Sequence, residues 1–508
     1  MHRNGKNAVS YLRFGKAGGW FRQLRSAGIL NFLFSCDIIG RDIKNAPRHL
    51  QRACTEEKMG HFENDLSKGN VVKQLIMFAI PFLISSIVQS LYNVADMLIV
   101  GNFSGTASMS GVNIGGQVTF ILTNIVVGLC SGGTVLVAQY LGAKKREDMQ
   151  DTVATLMSTL LAAAIVITIM MLFLKNQVLH AINTPAESFE EASRYLTVTV
   201  TGVIFIFGYN VLSAVMRGMG DSKRPFYFVL IACVTNIFLD LLLVAVFGMG
   251  AFGAAVATVI SQAASMIFCI IYMVRNDFIF DFKPSSFKFH KEKLSLIIKI
   301  GLPAAIQNGI TSFSFLIITT LVNTIGGVNA SAAVGVVGKV NGFAIMPAIA
   351  MGSSIATMCA QNIGAGQWER AGKTCKAGTL IAVGCSYLIF ILVQLFPRQI
   401  LELFDSNPDM IQSGIQYFRT FSFDYLFVPL CFSINGLFIA SGHTTFSLIN
   451  SVMSALALRI PASVLFGMVF DMGLTGVGLG APIASFESLI LIIWFYLSGK
   501  WRENVVKQ

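Results

Sequence analysis

The sequence predicts an all-α polytopic membrane protein, with twelve transmembrane helices in two six-helix lobes related by a pseudo-two-fold axis along the membrane normal. Three observations carry this expectation: sparse charge, recurrent long apolar runs, and a duplication at fixed spacing. Of 508 residues, 54% are hydrophobic and only 12% charged, about half the roughly 25% charge of a soluble protein. Mean hydropathy is +0.67. Apolar stretches long enough to cross a bilayer core fall near 73–100, 108–137, 151–174, 194–216, 226–247, 251–275, 296–324, 330–358, 375–397, 411–440, 445–470 and 474–498.

The duplication appears when the chain is slid along itself until Pro81 falls on Pro303. Ile80 then meets Leu302, and Ala138-Gln139-Tyr140-Leu141-Gly142-Ala143 meets Ala360-Gln361-Asn362-Ile363-Gly364-Ala365. Glu147 meets Glu369 and Gly220 meets Gly442; after one residue of slippage, Met249-Gly250 meets Met472-Gly473. An even number of helices per copy gives both copies one orientation, so the axis between them lies along the membrane normal. The expected organisation is a basic extension over 1–58, an N-lobe over 59–275, a cytoplasmic linker over 276–293, a C-lobe over 294–498 and a cytoplasmic tail over 499–508.

Charge sets the orientation. Residues 1–58 hold eleven Lys/Arg against four Asp/Glu and so supply +7 of the formal +11. Elsewhere, twenty basic residues fall in segments sharing a side with the start of the first helix, and only Lys175, Arg194, Arg398 and Arg419 fall on the other. A positive-inside bias of this size places both termini in the cytoplasm of a cell-membrane protein and argues against nucleic-acid binding. The extension itself is either a basic tail or untranslated, and a start at Met59 is the favoured reading. Nine scattered cysteines without CxxC spacing predict neither a disulfide framework nor a metal site.

Ionisable residues within spans are costly and therefore functional candidates. Here they are Asp96, Asp240, Asp424, Glu487, Lys339 and Arg459. Helical spacing puts Gln89, Asn93 and Asp96 on one face of the first helix, with Tyr92 beside them, and Asn236 and Asp240 on one face of the fifth. Thr258 lies one helix later, and Asn210 projects from the fourth. A carboxyl in a low-dielectric cavity resists ionising, so such a site can hold a proton or Na⁺ and exchange it for a substrate. Gln89, Tyr92, Asn93, Asn210 and Asp424 are the expected substrate contacts. Glu487 has no visible partner and reads as structural. Lys339 replaces Gln117 of the first copy, and either it or Arg459 could pair with Asp424 or line the cavity, although Arg459-Ile460-Pro461 reads first as a helix kink.

Gly218-Met219-Gly220-Asp221 matches the G-x-G-D of intramembrane aspartyl proteases, but Ser222-Lys223-Arg224 follows at once, so a turn is expected and no catalytic residue is assigned. No G-x-x-x-x-G-K-[ST] motif is present, which excludes direct ATP drive.

These residues together resemble the multidrug and toxic compound extrusion (MATE) family, and its DinF-like branch in particular, from about residue 65 onward. The resemblance rests on Gln89 to Gly101, the paired Ala-Gln-x-x-Gly-Ala turns, Arg217 to Lys223, and Asn236-Ile237-Phe238-Leu239-Asp240. It implies H⁺- or Na⁺-coupled export of hydrophobic, often cationic drugs or metabolites by alternating access, without a cofactor. It also implies that Asp96, Asn236, Asp240 and Thr258 form an N-lobe cation site. Members with a C-lobe sodium site usually carry a Glu in the seventh helix; Pro303-Ala304-Ala305-Ile306-Gln307-Asn308-Gly309 carries none. A monomer in the lipid bilayer is the expected state. The alternatives are a lipid-linked saccharide flippase of the same superfamily, which calls for a more cationic cavity, and an intramembrane enzyme, which calls for a convergent catalytic group. In the repeat register Asp96 maps onto Ile318 and Asp240 onto Ala462, so the expected ion coupling sits in the first lobe.

Overall fold

The computed structural model describes residues 62–404 and 407–506; the expectations for residues 1–58 and the Met59 start lie outside them. Among the described residues the secondary structure is helical. Hydrocarbon offers no water to a backbone N–H or C=O, and a helix satisfies both within the segment. Among the described residues nine helices are long and apolar enough to cross a membrane, and two more spans are bent pairs: Ala186–Thr201 with Val203–Gly218 at 51°, and Pro408–Phe421 with Asp424–Ala440 at 47°. The 72-residue helix Val71–Gly142 would measure about 108 Å if straight, over three times the ~30 Å of a bilayer core. Gly105 breaks it into two spans, which brings the total to the twelve expected.

The breaks follow the repeat. Gly105 (φ 79°, ψ 177°) and its counterpart in the second copy, Gly327 (φ 62°, ψ −150°), each turn the chain between an odd and an even span. Only glycine enters that backbone region without strain. The bends in spans four and ten also correspond, at Gly202 and at Phe423–Asp424. A π-helical stretch closes span five (Leu241–Val246) and another closes span eleven (Leu465–Val469). Span eleven carries one more, Met453–Arg459. A π-bulge is one residue inserted into an α-helix, and this extra bulge accounts for the single-residue slippage in the sequence register. Beyond it the offset between the copies grows by one, so Asp240 corresponds to Ser463 rather than Ala462.

The lobes meet at the end that bears the basic turns. Gly142 of span two lies against the Gln361 carbonyl of span eight, and Gly364 lies against the Gln139 carbonyl; in both places a Cβ would overlap backbone. Gln139 Nε2 donates to Ala440 O at 2.7 Å, and Gln361 Nε2 donates to Gly218 O at 3.3 Å. Every partner in one set is the repeat counterpart of a partner in the other. The flanking segments follow the same pattern: Asn64 N donates to Met219 O at 2.9 Å, and Val505 N to Ser441 O at 3.2 Å. Along the same interface Gly132 faces the Ile297 carbonyl and Gly128 faces Ala305 of span seven. Towards the other end the same two faces carry exposed side chains, Ile121 and Gln117 on span two and Phe343 and Lys339 on span eight.

Candidate cation and substrate site

Asp96 sits two turns before the Gly105 break, and Asp240 is the last α-helical residue before the π stretch of span five. Both irregularities place a carboxyl where the regular ladder ends. The two side chains come within hydrogen-bonding range of each other, inside the N-lobe, where Asp96 is 8% and Asp240 0% exposed. Asn236, one turn before Asp240, is 1% exposed. Tyr92, one turn before Asp96, faces the same pair. Tyr195 of span four approaches both carboxyls and Thr258.

The polar atoms of this cluster lack protein partners. Asp96 Oδ1, both carboxyl oxygens of Asp240 and both amide atoms of Asn236 are buried without a hydrogen bond. Two carboxylates can only accept, so their approach is stable only with something positive between them: one shared proton, or a cation. The donor set is carboxylate, amide and hydroxyl oxygen, which suits a hard ion such as Na⁺. Among the described residues no group of three His, Cys, Asp or Glu is arranged for a metal.

The structure separates the other expected contacts from this centre. Gln89 and Asn93 are exposed, so the face they share is the accessible one, while Asp96 turns into the lobe with Tyr92. Asp96 follows Asn93 by three positions, which leaves about a 60° offset on a helix of roughly 100° per residue, and here that offset divides the inside of the lobe from the outside. Asn210 is half-buried and donates to Ile206 O of its own helix at 2.8 Å. Asp424 lies in the other lobe at the bend of span ten, 5% exposed. It faces Arg459 and Ser485. The Arg459 guanidinium rests over the Phe315 ring at 5.0 Å. Glu487 Oε2 is buried without a partner.

Tyr195 was not legible as a site residue by itself. The repeat carries the signal: its counterpart Tyr417 stands beside Asp424 and Arg459 as Tyr195 stands beside Asp96 and Asp240. The G-x-G-D stretch is a turn: Asp221 Oδ1 accepts from the Lys223 and Arg224 amides at 3.1 and 3.2 Å, and its carboxylate pairs with the Arg224 guanidinium.

Two lobes of bent membrane helices, closed against each other at one end and holding a carboxyl pair inside one of them, define a membrane transporter. The chain belongs to the MatE family, whose sequence profile matches residues 81–242 and again 303–465. The two matches open on the paired prolines of the repeat, and the second is the longer by the one residue of the slip. Members of this family are transporters rather than enzymes. The chain is 28% identical over 438 residues to the probable multidrug resistance protein YpnP of Bacillus subtilis (strain 168), covering 86% of this chain and 97% of that protein. It is 26% identical over 455 residues to the probable multidrug resistance protein NorM of Thermotoga maritima, covering 88% and 97%. In fold it resembles a MOP superfamily transporter from Pyrococcus furiosus (TM-score 0.83, 23% identity, 88% and 100% covered). It likewise resembles an outward-facing multidrug resistance MATE transporter (TM-score 0.82, 24% identity, 87% and 98% covered).

Proposed function

We propose that this protein is a secondary active multidrug exporter that exchanges H⁺ or Na⁺ for hydrophobic or cationic small molecules. The observation that carries this reading is the Asp96–Asp240 carboxyl pair, buried with Asn236 in one lobe and lacking any donor. Such a pair needs a bound proton or cation in this conformation, and it gives that ion up when the surrounding helices rearrange. The names of its relatives as multidrug resistance proteins support the substrate class. The Asp96, Asn236, Asp240 and Thr258 set fits the pattern implied by the DinF-like branch.

The basic ends face the cytoplasm of the cell membrane, as the Lys/Arg distribution supports. The lobes are then sealed inwards at Gln139 and Gln361 and open outwards, in an outward-facing state that takes up the coupling ion and releases substrate. The transporter works as a monomer. Dye efflux in everted vesicles tests the reading: an imposed pH gradient, then an imposed Na⁺ gradient, should drive accumulation of a lipophilic cationic dye. No accumulation under either gradient contradicts it.

A further inference from the structure

Gln139 and Gln361 mark the faces by which spans two and eight touch the opposing lobe. Following each helix outwards along that face gives the lining of the open end. Span eight runs from Asn329 to Gly364. Phe343 lies about five whole turns before Gln361 on the same face, and Lys339, one turn further out, lies within roughly 40° of it. In span two the corresponding positions are Ile121 and Gln117. All four side chains are exposed. The two walls therefore carry an apolar pair, Ile121 and Phe343, and one turn further out Gln117 on one wall and Lys339 on the other.

Lys339 is the charged residue of this lining. It lies more than three turns inside the Gly327 break, about 18 Å along the helix, so its ammonium belongs to the span rather than to a loop. Among the described residues no Asp or Glu comes within 4.0 Å of it. Gly338 beside it, and Gly335 and Gly342 one turn to either side, leave open space around its base. On the opposing wall Gln117 Nε2 donates to Asn113 Oδ1 at 3.3 Å, so that wall offers neutral amides. Of the N-lobe acids on this side, Asp96 and Asp240 are buried inside the lobe, and Glu190 and Glu191 are paired with Arg194, Glu191 also accepting from Ser108 Oγ and the Ala251 amide. An intramembrane lysine without a carboxylate partner is costly unless a ligand or pathway uses it.

We infer that Lys339 is an anion-binding subsite of the central cavity, and that it admits soluble amphiphilic organic anions. The ligand's carboxylate or sulfonate pairs with the ammonium, and its ring or chain lies on Phe343 and Ile121. This inference rests on the transporter reading for its place in a transport cycle, but the site itself is defined by binding. It extends the substrate range beyond cations to molecules whose negative group replaces the missing carboxylate partner.

Two xanthene dyes of similar shape and opposite charge, fluorescein and rhodamine 123, test it by fluorescence anisotropy on the purified full chain in neutral detergent. Fluorescein should bind the wild type. Lys339→Gln should weaken that binding by about tenfold or more, Lys339→Arg should keep it within about twofold, and rhodamine 123 should bind the Gln variant at least as well as the wild type. Equal fluorescein affinity in wild type and Lys339→Gln, or no fluorescein binding where rhodamine 123 binds, overturns the subsite. Displacement of fluorescein by phosphatidylglycerol but not by a soluble aryl sulfonate overturns the soluble ligand class. Fluorescein binding that depends on Lys339, in a protein that moves neither dye under an ion gradient, supports the subsite and contradicts the transport reading instead.

Discussion

Gln139 and Gln361, repeat counterparts and both fully buried, each reach across to the opposing copy, one to Ala440 O at 2.7 Å and the other to Gly218 O at 3.3 Å. Their carbonyls receive Gly364 and Gly142 in return. The acceptors Gly218 and Ala440 end spans four and ten, so the seal joins span two to span ten and span eight to span four. The side-chain oxygens are used as well: Gln361 Oε1 accepts from Leu66 N at 2.9 Å, and Gln139 Oε1 from Asn504 Nδ2 at 3.2 Å. The segments preceding the first span and following the last are thereby drawn onto the same closure.

Gly142→Ala should destabilise this closure. The added methyl overlaps a main-chain carbonyl, which cannot swing aside as a flexible side chain would. Overpacking of this kind costs about 1–3 kcal/mol. The thermal midpoint of the purified protein should fall, and Gly364→Ala should lower it to a similar extent because the contact is repeated. A midpoint unchanged in both variants contradicts the packing described for the two lobes.

Lys293 should matter for stability out of proportion to its position near a helix start. Its ammonium, 5% exposed, donates to Asp148 Oδ1 at 2.5 Å and to the Tyr140 hydroxyl at 3.1 Å. It therefore ties the first helix of one lobe to spans two and three of the other. Removing one member of a buried pair strands its partner. Lys293→Met should lower the midpoint more than Lys288→Met, a change outside this contact nearby; equal effects would contradict the tie.

His443, in the turn before span eleven, should make the protein acid-sensitive. Its ring packs against Phe495 at 5.4 Å and its Nδ1 meets the Ser441 hydroxyl at 3.0 Å. Burial holds its pKa below the usual histidine value, with Lys299 lowering it further and Glu503 opposing. The unfolded chain then takes the proton first as pH falls. Stability should be level above about pH 6.5, decline below it, and level off again beneath the folded value. Thermal melts from mildly alkaline to mildly acid pH check this: His443→Asn should flatten that part of the profile, and an unchanged slope contradicts it.

Much of this was legible in the sequence, and what was not has a physical reason. Long apolar runs and the repeat register revealed twelve spans and the duplication, because both follow from local composition. The residues Asp96, Asn236 and Asp240 stood out because ionisable groups are rare in spans. The register could not show that its one-residue slip is the π-bulge at Met453–Arg459, since an insertion leaves the same trace in a loop as in a helix. Nor could it separate Asn93 from Asp96, for their shared face is split by the lobe boundary. The Gln139 and Gln361 motif read as a turn signal, and its role in joining the lobes appears only when two distant helices meet.

The Asp96–Asp240 pair is the central claim, and coupled efflux from proteoliposomes tests it most directly. Asp96→Asn and Asp240→Asn should each fold with a normal thermal midpoint yet lose at least about tenfold of the gradient-driven dye transport, because one amide in the pair removes the need for a shared ion. Full gradient-driven transport by either variant would contradict the assignment of ion coupling to this lobe.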